Sequence, residues 1–327
     1  MDEGLDFAVK YPFSDSARKH IEGVQLTDRI VGLAVERIKK GIRGDRSARI
    51  VFHSSDKQEE IASFAAARMI LGHLRNSFLT NRFAVNESKI VRGYIDKADK
   101  GDANAVDLVA AQFGIVTRTE AGRMLIGLPA FLMYSPRSLD YRLINMRVIN
   151  GVVEIDDAKK RKLIEEAVKK HIEAIPVVKD PPDLIKNVGT QLLAEIPKTE
   201  IKMNVRAGDH PPCVMRLLES MKKHENLPHH ARWYLAAYLL AIGMPEEDVV
   251  KLFSAAPDFS EKITAYQVSH IRKKGYSVPA CATVMTYGLC CAVCRIGSPI
   301  NWHTLDNPKK DAINNPKKDG IPNEADK

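Results

Sequence analysis

The chain of 327 residues is 45% hydrophobic and 28% charged, enough to close sizeable cores in two or three domains. No stretch approaches the roughly 20 apolar residues that cross a bilayer, so a membrane protein is not expected. Its 49 Lys and Arg against 41 Asp and Glu, a formal net charge of +8, suit a polyanionic partner without requiring one.

The start, "MDEGLDFAVK", is acidic and has no signal-peptide core. A cytoplasmic location is expected, where thiols stay reduced and clustered cysteines point to metal or redox sites before disulfides. The N-terminal part reads as helical. "ERIKKGIRGDRSAR" carries Arg37, Lys39, Lys40, Arg43, Arg46 and Arg49, either as a solvated helix end and loop or as a phosphate or partner contact. "SSDKQEEIASFAAARMILGHLRNSFL" places Ser55 and Gln58 at capping-box spacing. Its apolar residues surround most of the circumference and predict a buried helix.

From about residue 124 the pattern changes. "MLIGLPAFLMY" and "YRLINMRVINGVVEI" read as strands, with Asn150-Gly151 as a hairpin turn. Glu154 and Asp156, two apart on one arm, could hold a divalent ion. The plainer reading makes Asp156 or Asp157 the cap of the helix "AKKRKLIEEAVKKHIEAI". "PVVKDPP" then breaks that helix. The expected organisation is an N-terminal helical domain with a small α/β part over 1–178 and a linker over 179–205. An α-helical domain carrying every cysteine follows over 206–305. The tail from 306 to 327, where "NPKKDAIN" is imperfectly repeated as "NPKKDGIPN", has almost nothing to bury and reads as disordered.

The five cysteines are Cys213, Cys281, Cys290, Cys291 and Cys294. On a helix Cys290 and Cys294 would share a face, as would Cys291 and Cys294, whereas Cys290 and Cys291 would diverge by about 100°. Four ligands drawn from five cysteines are therefore expected. Zinc ribbons offer two close pairs, and here Cys213 and Cys281 stand alone, which leans towards an iron–sulfur centre. Zinc, or five inert buried thiols, remain open on spacing. Prolines precede Cys213 in "HPPCVMRLLESM" and Cys281 in "YSVPACATVMTYGLC", stiffening the backbone at both.

"NLPHHARWYLAAYLLAIG" is a signalled helix, with Asn226 as a possible cap, Pro228 in the first turn and Gly243 past the end. Leu235, Tyr238, Leu239 and Ile242 form its core stripe. His229, His230 and Arg232 add positive charge at the helix N-terminus, an arrangement that an anion such as phosphate would relieve; the alternative is a solvent-facing cluster. In "EKITAYQVSHIRKKGY", Tyr266, Gln267 and His270 put a base-stacking aromatic beside Arg272, Lys273 and Lys274.

Taken in order, "YPF", "HPPCVMRLL", "NLPHHARWYLAAYLLAIG", "EKITAYQVSHI", "YSVPACATVMTYGLC" and "SPINW" resemble the large subunit of the archaeal and eukaryotic DNA primase, most closely from about Asp209 to Trp302. The resemblance implies a mainly α chain: a helical N-terminal domain with a small β-hairpin or sheet insertion, and an α-helical Fe–S C-terminal domain. It implies a [4Fe–4S] cluster held by Cys213, Cys281, Cys290 and Cys294. It implies contacts to the primer 5′-triphosphate and template from His229 and Arg232, with Tyr266 and His270 as neighbours. The partners it implies are a catalytic small subunit, forming a heterodimer, together with DNA template and RNA primer or initiating nucleotide. The chain itself would be a non-catalytic, regulatory subunit. A zinc-stabilised nucleic-acid-binding module without a polymerase partner is the alternative. A redox enzyme is disfavoured by the lack of a G-x-G-x-x-G loop.

Overall fold

The computed structural model describes residues 3–47, 53–98, 103–136, 138–195 and 210–305; Arg49 and the tail expected to be disordered lie outside them. The chain is mainly helical with one four-stranded antiparallel sheet. It divides into two units, Met1–Lys198 and Thr199–Lys327. Among the described residues no helix is long and apolar enough to cross a membrane.

The first unit runs α1 (Glu3–Lys10), α2 (Asp15–His20), α3 (Asp28–Arg43), α4 (Ser54–Leu74), α5 (Ser77–Lys97), α6 (Ala103–Gln112), β1 (Thr117–Glu120), β2 (Arg123–Gly127), α7 (Leu128–Tyr134), β3 (Val148–Ile149), β4 (Val152–Ile155), α8 (Asp157–Glu173) and α9 (Asp183–Glu195). Thr27 starts α3 by accepting the Ile30 N–H at 3.3 Å, and Ile30, Val31, Ala34 and Ile38 bury one face of it. That face packs on α4 and α5, and α5 packs on α8. Gly41 lets the helices close: a Cβ there would sit 3.2 Å from the Phe83 backbone. At Gly72 a Cβ would collide with the Pro176 carbonyl, so glycine lets the segment after α8 cross α4, where Val178 N–H bonds the Gly72 carbonyl.

Buried charge in this unit is internally paired. Arg37 lies between Glu60 (3.1 Å) and Glu87 (3.4 Å), with its guanidinium 5.6 Å from the Phe64 ring centroid. Burial pushes the Glu87 carboxyl up, opposed by Arg37 and reinforced by Glu60. The basic run at residues 37–49 thus contributes at least one arginine to the interior.

The sheet order is β1-β2-β4-β3. Asn150 and Gly151, at φ 46° and 78°, turn β3 into β4 with Ile149 opposite Val152, the mirror-image geometry a tight hairpin needs. The alternation of β4 puts Val153 and Ile155 in the core. Asp156 caps α8 by accepting the Lys159 N–H at 2.6 Å, and that bond holds its carboxyl below the usual range. Glu154 pairs with Arg147 at 3.6 Å and reaches Arg123 at 4.0 Å, so the plainer reading of this acidic pair holds.

Four expectations change. The start of "YRLINMRVINGVVEI" forms short three-ten turns at Leu139–Tyr141 and Leu143–Asn145, so only its later part is strand. "LPAFLMY" is the helix α7, not a strand: Pro129 occupies its first turn, and a short apolar run does not distinguish a buried strand from a buried helix. The Ser55 and Gln58 box goes unused; His53 stands at the N-cap of α4, and the Gln58 amide donates to the His20 carbonyl instead. Residues 183–195, within the expected linker, form α9, which packs on α4 and α3 because Ile185 and Leu192 give it an apolar face.

The second unit comprises α10 (Pro212–Lys222), α11 (His229–Ala241), α12 (Glu246–Phe253), α13 (Glu261–Lys274) and α14 (Cys281–Thr286), then a three-ten segment over Pro299–Thr304. Helix α11 is central, with Ala231 and every residue from Tyr234 to Leu239 buried. Gly243 ends it in the left-handed region at φ 92°. Trp302 of the three-ten segment is fully buried, worth about 1.5–3 kcal/mol for an aromatic of this kind. Tyr238 OH links His303 Nε2 (2.9 Å) and His210 Nδ1 (3.1 Å).

Candidate functional site

All five thiols line one cavity of about 470 Å³ in the second unit, together with Pro211 and Pro299. Cys213 sits in the first turn of α10, started by Pro211 and Pro212. Cys281 opens α14, and its N–H bonds the Gly297 carbonyl at 2.9 Å, closing the chain from 281 to 297 into a loop. Arg216 of α10 donates to the Leu289 carbonyl at 2.6 Å and to that of Gly288 at 3.3 Å, tying the helix of Cys213 to the loop of the later cysteines. Cys213 Sγ and the Tyr234 hydroxyl are hydrogen-bonded at 3.2 Å.

Residues 289–297 are non-helical, so the helical-face argument for Cys290 and Cys294 does not apply. Gly288 at φ 68° ends α14 and Gly297 at 71° turns the chain again. Cys290 and Cys294 converge by another route, both placing Sγ near the Ala292 carbonyl, at 3.3 and 3.8 Å. Cys290 packs against the core of the unit, whereas Cys291 is exposed.

Burial pushes the Cys213, Cys281 and Cys291 thiols up. It lifts Cys294 to about 11, with Cys213, Cys290, Cys281 and Cys291 adding to the effect. These groups are protonated at neutral pH and would release protons to a thiophilic metal. Among the described residues no three His, Cys, Asp or Glu side chains form a group that could hold a metal ion. The fit to a bound centre therefore rests on the donor set and the space it encloses: five soft sulfur donors, from three chain segments, around one cavity.

A second cavity, about 250 Å³, is lined by His229, Arg232, Tyr266 and His270, the four residues expected to meet nucleotide or template. Its remaining wall is largely aromatic and apolar, including Trp233, Phe259 and Tyr276. Tyr266 and His270, one turn apart on α13, stack at 6.0 Å between ring centroids, and Tyr266 is 71% exposed. Pro228 stands at the N-cap of α11 and supplies no side-chain cap; backbone N–H groups of a first turn left in this way attract anions.

Asn226 does not cap α11. Its side-chain oxygen accepts from Arg232 Nη2, whose Nε donates to the Leu227 carbonyl at 2.9 Å. Asp258 takes the same Nη2 on both carboxylate oxygens, at 2.7 and 2.8 Å. One edge of the guanidinium is thus fully engaged by the protein. His230 stacks on Tyr287 at 5.1 Å.

Several contributors carried little sequence signal. Tyr234 and Tyr238 look like core residues, although a buried tyrosine hydroxyl always asks for a partner, and for Tyr234 that partner is Cys213. Asp258, Trp233 and Tyr276 come from separate elements, and no local spacing joins them to Arg232.

The family described as the C-terminal domain of the eukaryotic and archaeal DNA primase large subunit matches residues 203–314, which span both cavities. The DNA primase large subunit of Methanocella arvoryzae is 33% identical over 313 residues, covering 88% of this chain and 84% of that protein. That of Archaeoglobus fulgidus is 31% identical over 256 residues, covering 74% and 67%. The Methanosarcina barkeri protein is 25% identical over 332 residues, covering 92% and 78%. With similarity running through both units, the chain belongs to the family of archaeal and eukaryotic DNA primase large subunits.

Proposed function

We propose that this chain is the non-catalytic subunit of a heterodimeric primase. In this reading it docks the catalytic small subunit, holds a [4Fe–4S] cluster through Cys213, Cys281, Cys290 and Cys294, and presents initiating nucleotide and template to the partner. The observation that carries it is the pair of cavities in one unit, one lined with thiols and the other with cations and aromatics.

The division of labour follows from the chemistry of primer synthesis. Phosphoryl transfer needs carboxylates holding metal ions around the attacking hydroxyl, a role assigned here to the small subunit. Arg232 and His229 at the uncapped start of α11 suit a triphosphate, and the exposed Tyr266 with His270 suits an unpaired base. Holding both raises their local concentration at the partner's active site and removes part of the entropic cost of bringing two nucleotides together. Asn226, Leu227 and Asp258 fix the Arg232 guanidinium, so less rotamer freedom is lost on binding. When bound, the cluster supplies iron–thiolate bonds that cross-link α10, α14 and the following loop, a structural role by default.

For docking, apolar side chains exposed on the first unit gather on α7 and after it: Leu132, Met133, Ile144, Val148 and Ile149, with Ile144 89% exposed. Strand β3 is an edge of the sheet. Exposed apolar side chains of this kind suit a protein partner.

The test compares Arg232→Ala with wild type in complex with the small subunit. De novo initiation should fall far more than extension of a preformed primer; equal loss of both contradicts the clamp. A zinc-stabilised module without a polymerase partner would instead yield zinc without sulfide and no co-purifying small subunit.

A further inference from the structure

The thiol cavity has one donor more than a four-ligand centre uses. Adjacent cysteines diverge by about 100° on a helix, which would send one of Cys290 and Cys291 away from the cavity. The structure removes that constraint, because residues 289–297 are a loop and both side chains line the same space as Cys213, Cys281 and Cys294. The loop is anchored on either side of the cysteine pair. Arg216 holds the Gly288 and Leu289 carbonyls before it, and the Cys281 N–H holds the Gly297 carbonyl after it. A change of ligand between neighbouring residues therefore asks for a local adjustment inside a tethered loop. Cys290 is the more embedded of the two and Cys291 the exposed one.

We propose that Cys290 and Cys291 are interchangeable ligands of the iron–sulfur centre, either one completing the set with Cys213, Cys281 and Cys294; this rests on the cofactor reading above. Thiolates on these adjacent residues offer the same donor atom to one cavity, and nothing but sulfur is required at that corner. The thiol left unused stays at the mouth of the site as a reserve ligand.

The experiment uses the full chain purified anaerobically as wild type, Cys290→Ala, Cys291→Ala and the double variant, with folding followed by circular dichroism. Iron and acid-labile sulfide are counted, and paramagnetic resonance of the chemically reduced sample reports the environment of the centre. Both single variants should keep the wild-type iron and sulfide, and the one that removes the resident ligand should shift the resonance signal. The double variant should lose the iron. Loss of iron in either single variant, or its full retention in the double variant, overturns the proposal. If the double variant fails to fold, the single variants decide the matter. Absence of iron and sulfide in the wild type would sink the cofactor reading itself, a distinct result read from a separate sample.

Discussion

The two units differ in the space they leave around their buried polar groups. In the first, Arg37 is held between Glu60 and Glu87, and the cavity these three help to line is small, about 80 Å³. In the second, five thiols surround about 470 Å³ of cavity, and Arg232 is fixed along one edge beside a further 250 Å³. Paired buried charge serves the fold, because breaking such a pair leaves an uncompensated ion. Donors gathered around space serve a ligand. Substitutions should separate accordingly, in stability for the first unit and in binding for the second.

The largest effect expected is on the thiol side. Cys213→Ala should abolish iron incorporation, seen by metal analysis, and should lower the thermal transition of the second unit, since structural metal binding contributes directly to folding. Retained iron with unchanged melting would erase the contrast between the units. Next comes Arg37→Ala, which should destabilise the first unit by about 3–5 kcal/mol in denaturant melts while leaving metal content unchanged. Its pH dependence has a definite sign. Burial already raises the Glu87 carboxyl above its unfolded value, so the stability linked to it is complete below the unfolded carboxylate range and is given up as pH rises through the folded value. Removing Arg37 takes away the charge that opposes this rise. The variant should therefore recover part of its deficit on acidification, and a deficit independent of pH would show the pair to be unimportant.

On the nucleotide side the effects are smaller. Arg232→Ala should weaken triphosphate binding roughly 10- to 100-fold, the range for one charge-assisted hydrogen-bonding partner, as measured by equilibrium titration. Tyr266→Ala should cost about 1–3 kcal/mol in single-stranded template affinity, with no change in iron content. Asp258→Asn, isosteric but uncharged, sharpens the picture furthest. A several-fold loss of triphosphate affinity is expected if orientation of Arg232 dominates, and a gain would mean that the carboxylate competes with the phosphate.

The sequence made some of this plain. The Asn150-Gly151 turn, the Asp156 cap and the buried stripe of α11 are local signals, and each appears where its spacing places it. The four residues proposed to meet nucleotide or template share a cavity although Arg232 and Tyr266 lie on different helices; the family resemblance, more than any periodicity, pointed to them. What was hidden is tertiary. The apolar run after Gly127 has no period that separates strand from helix. Residues 289–297 leave the helical path between two left-handed glycines, whose role shows only once the Cys281 to Gly297 bond is in place. Asp258 reaches Arg232 from beyond α12, a distance that no motif spans. Helix α9 falls in the stretch expected to be a linker, and its apolar residues gain meaning against α4.

The most direct test of the central claim counts iron and acid-labile sulfide in the wild-type chain purified without exposure to oxygen, together with its visible absorption. About four irons and four sulfides per chain, with the broad absorption of thiolate-bound clusters, is the predicted result. One zinc per chain and no sulfide, in a colourless protein, would contradict it.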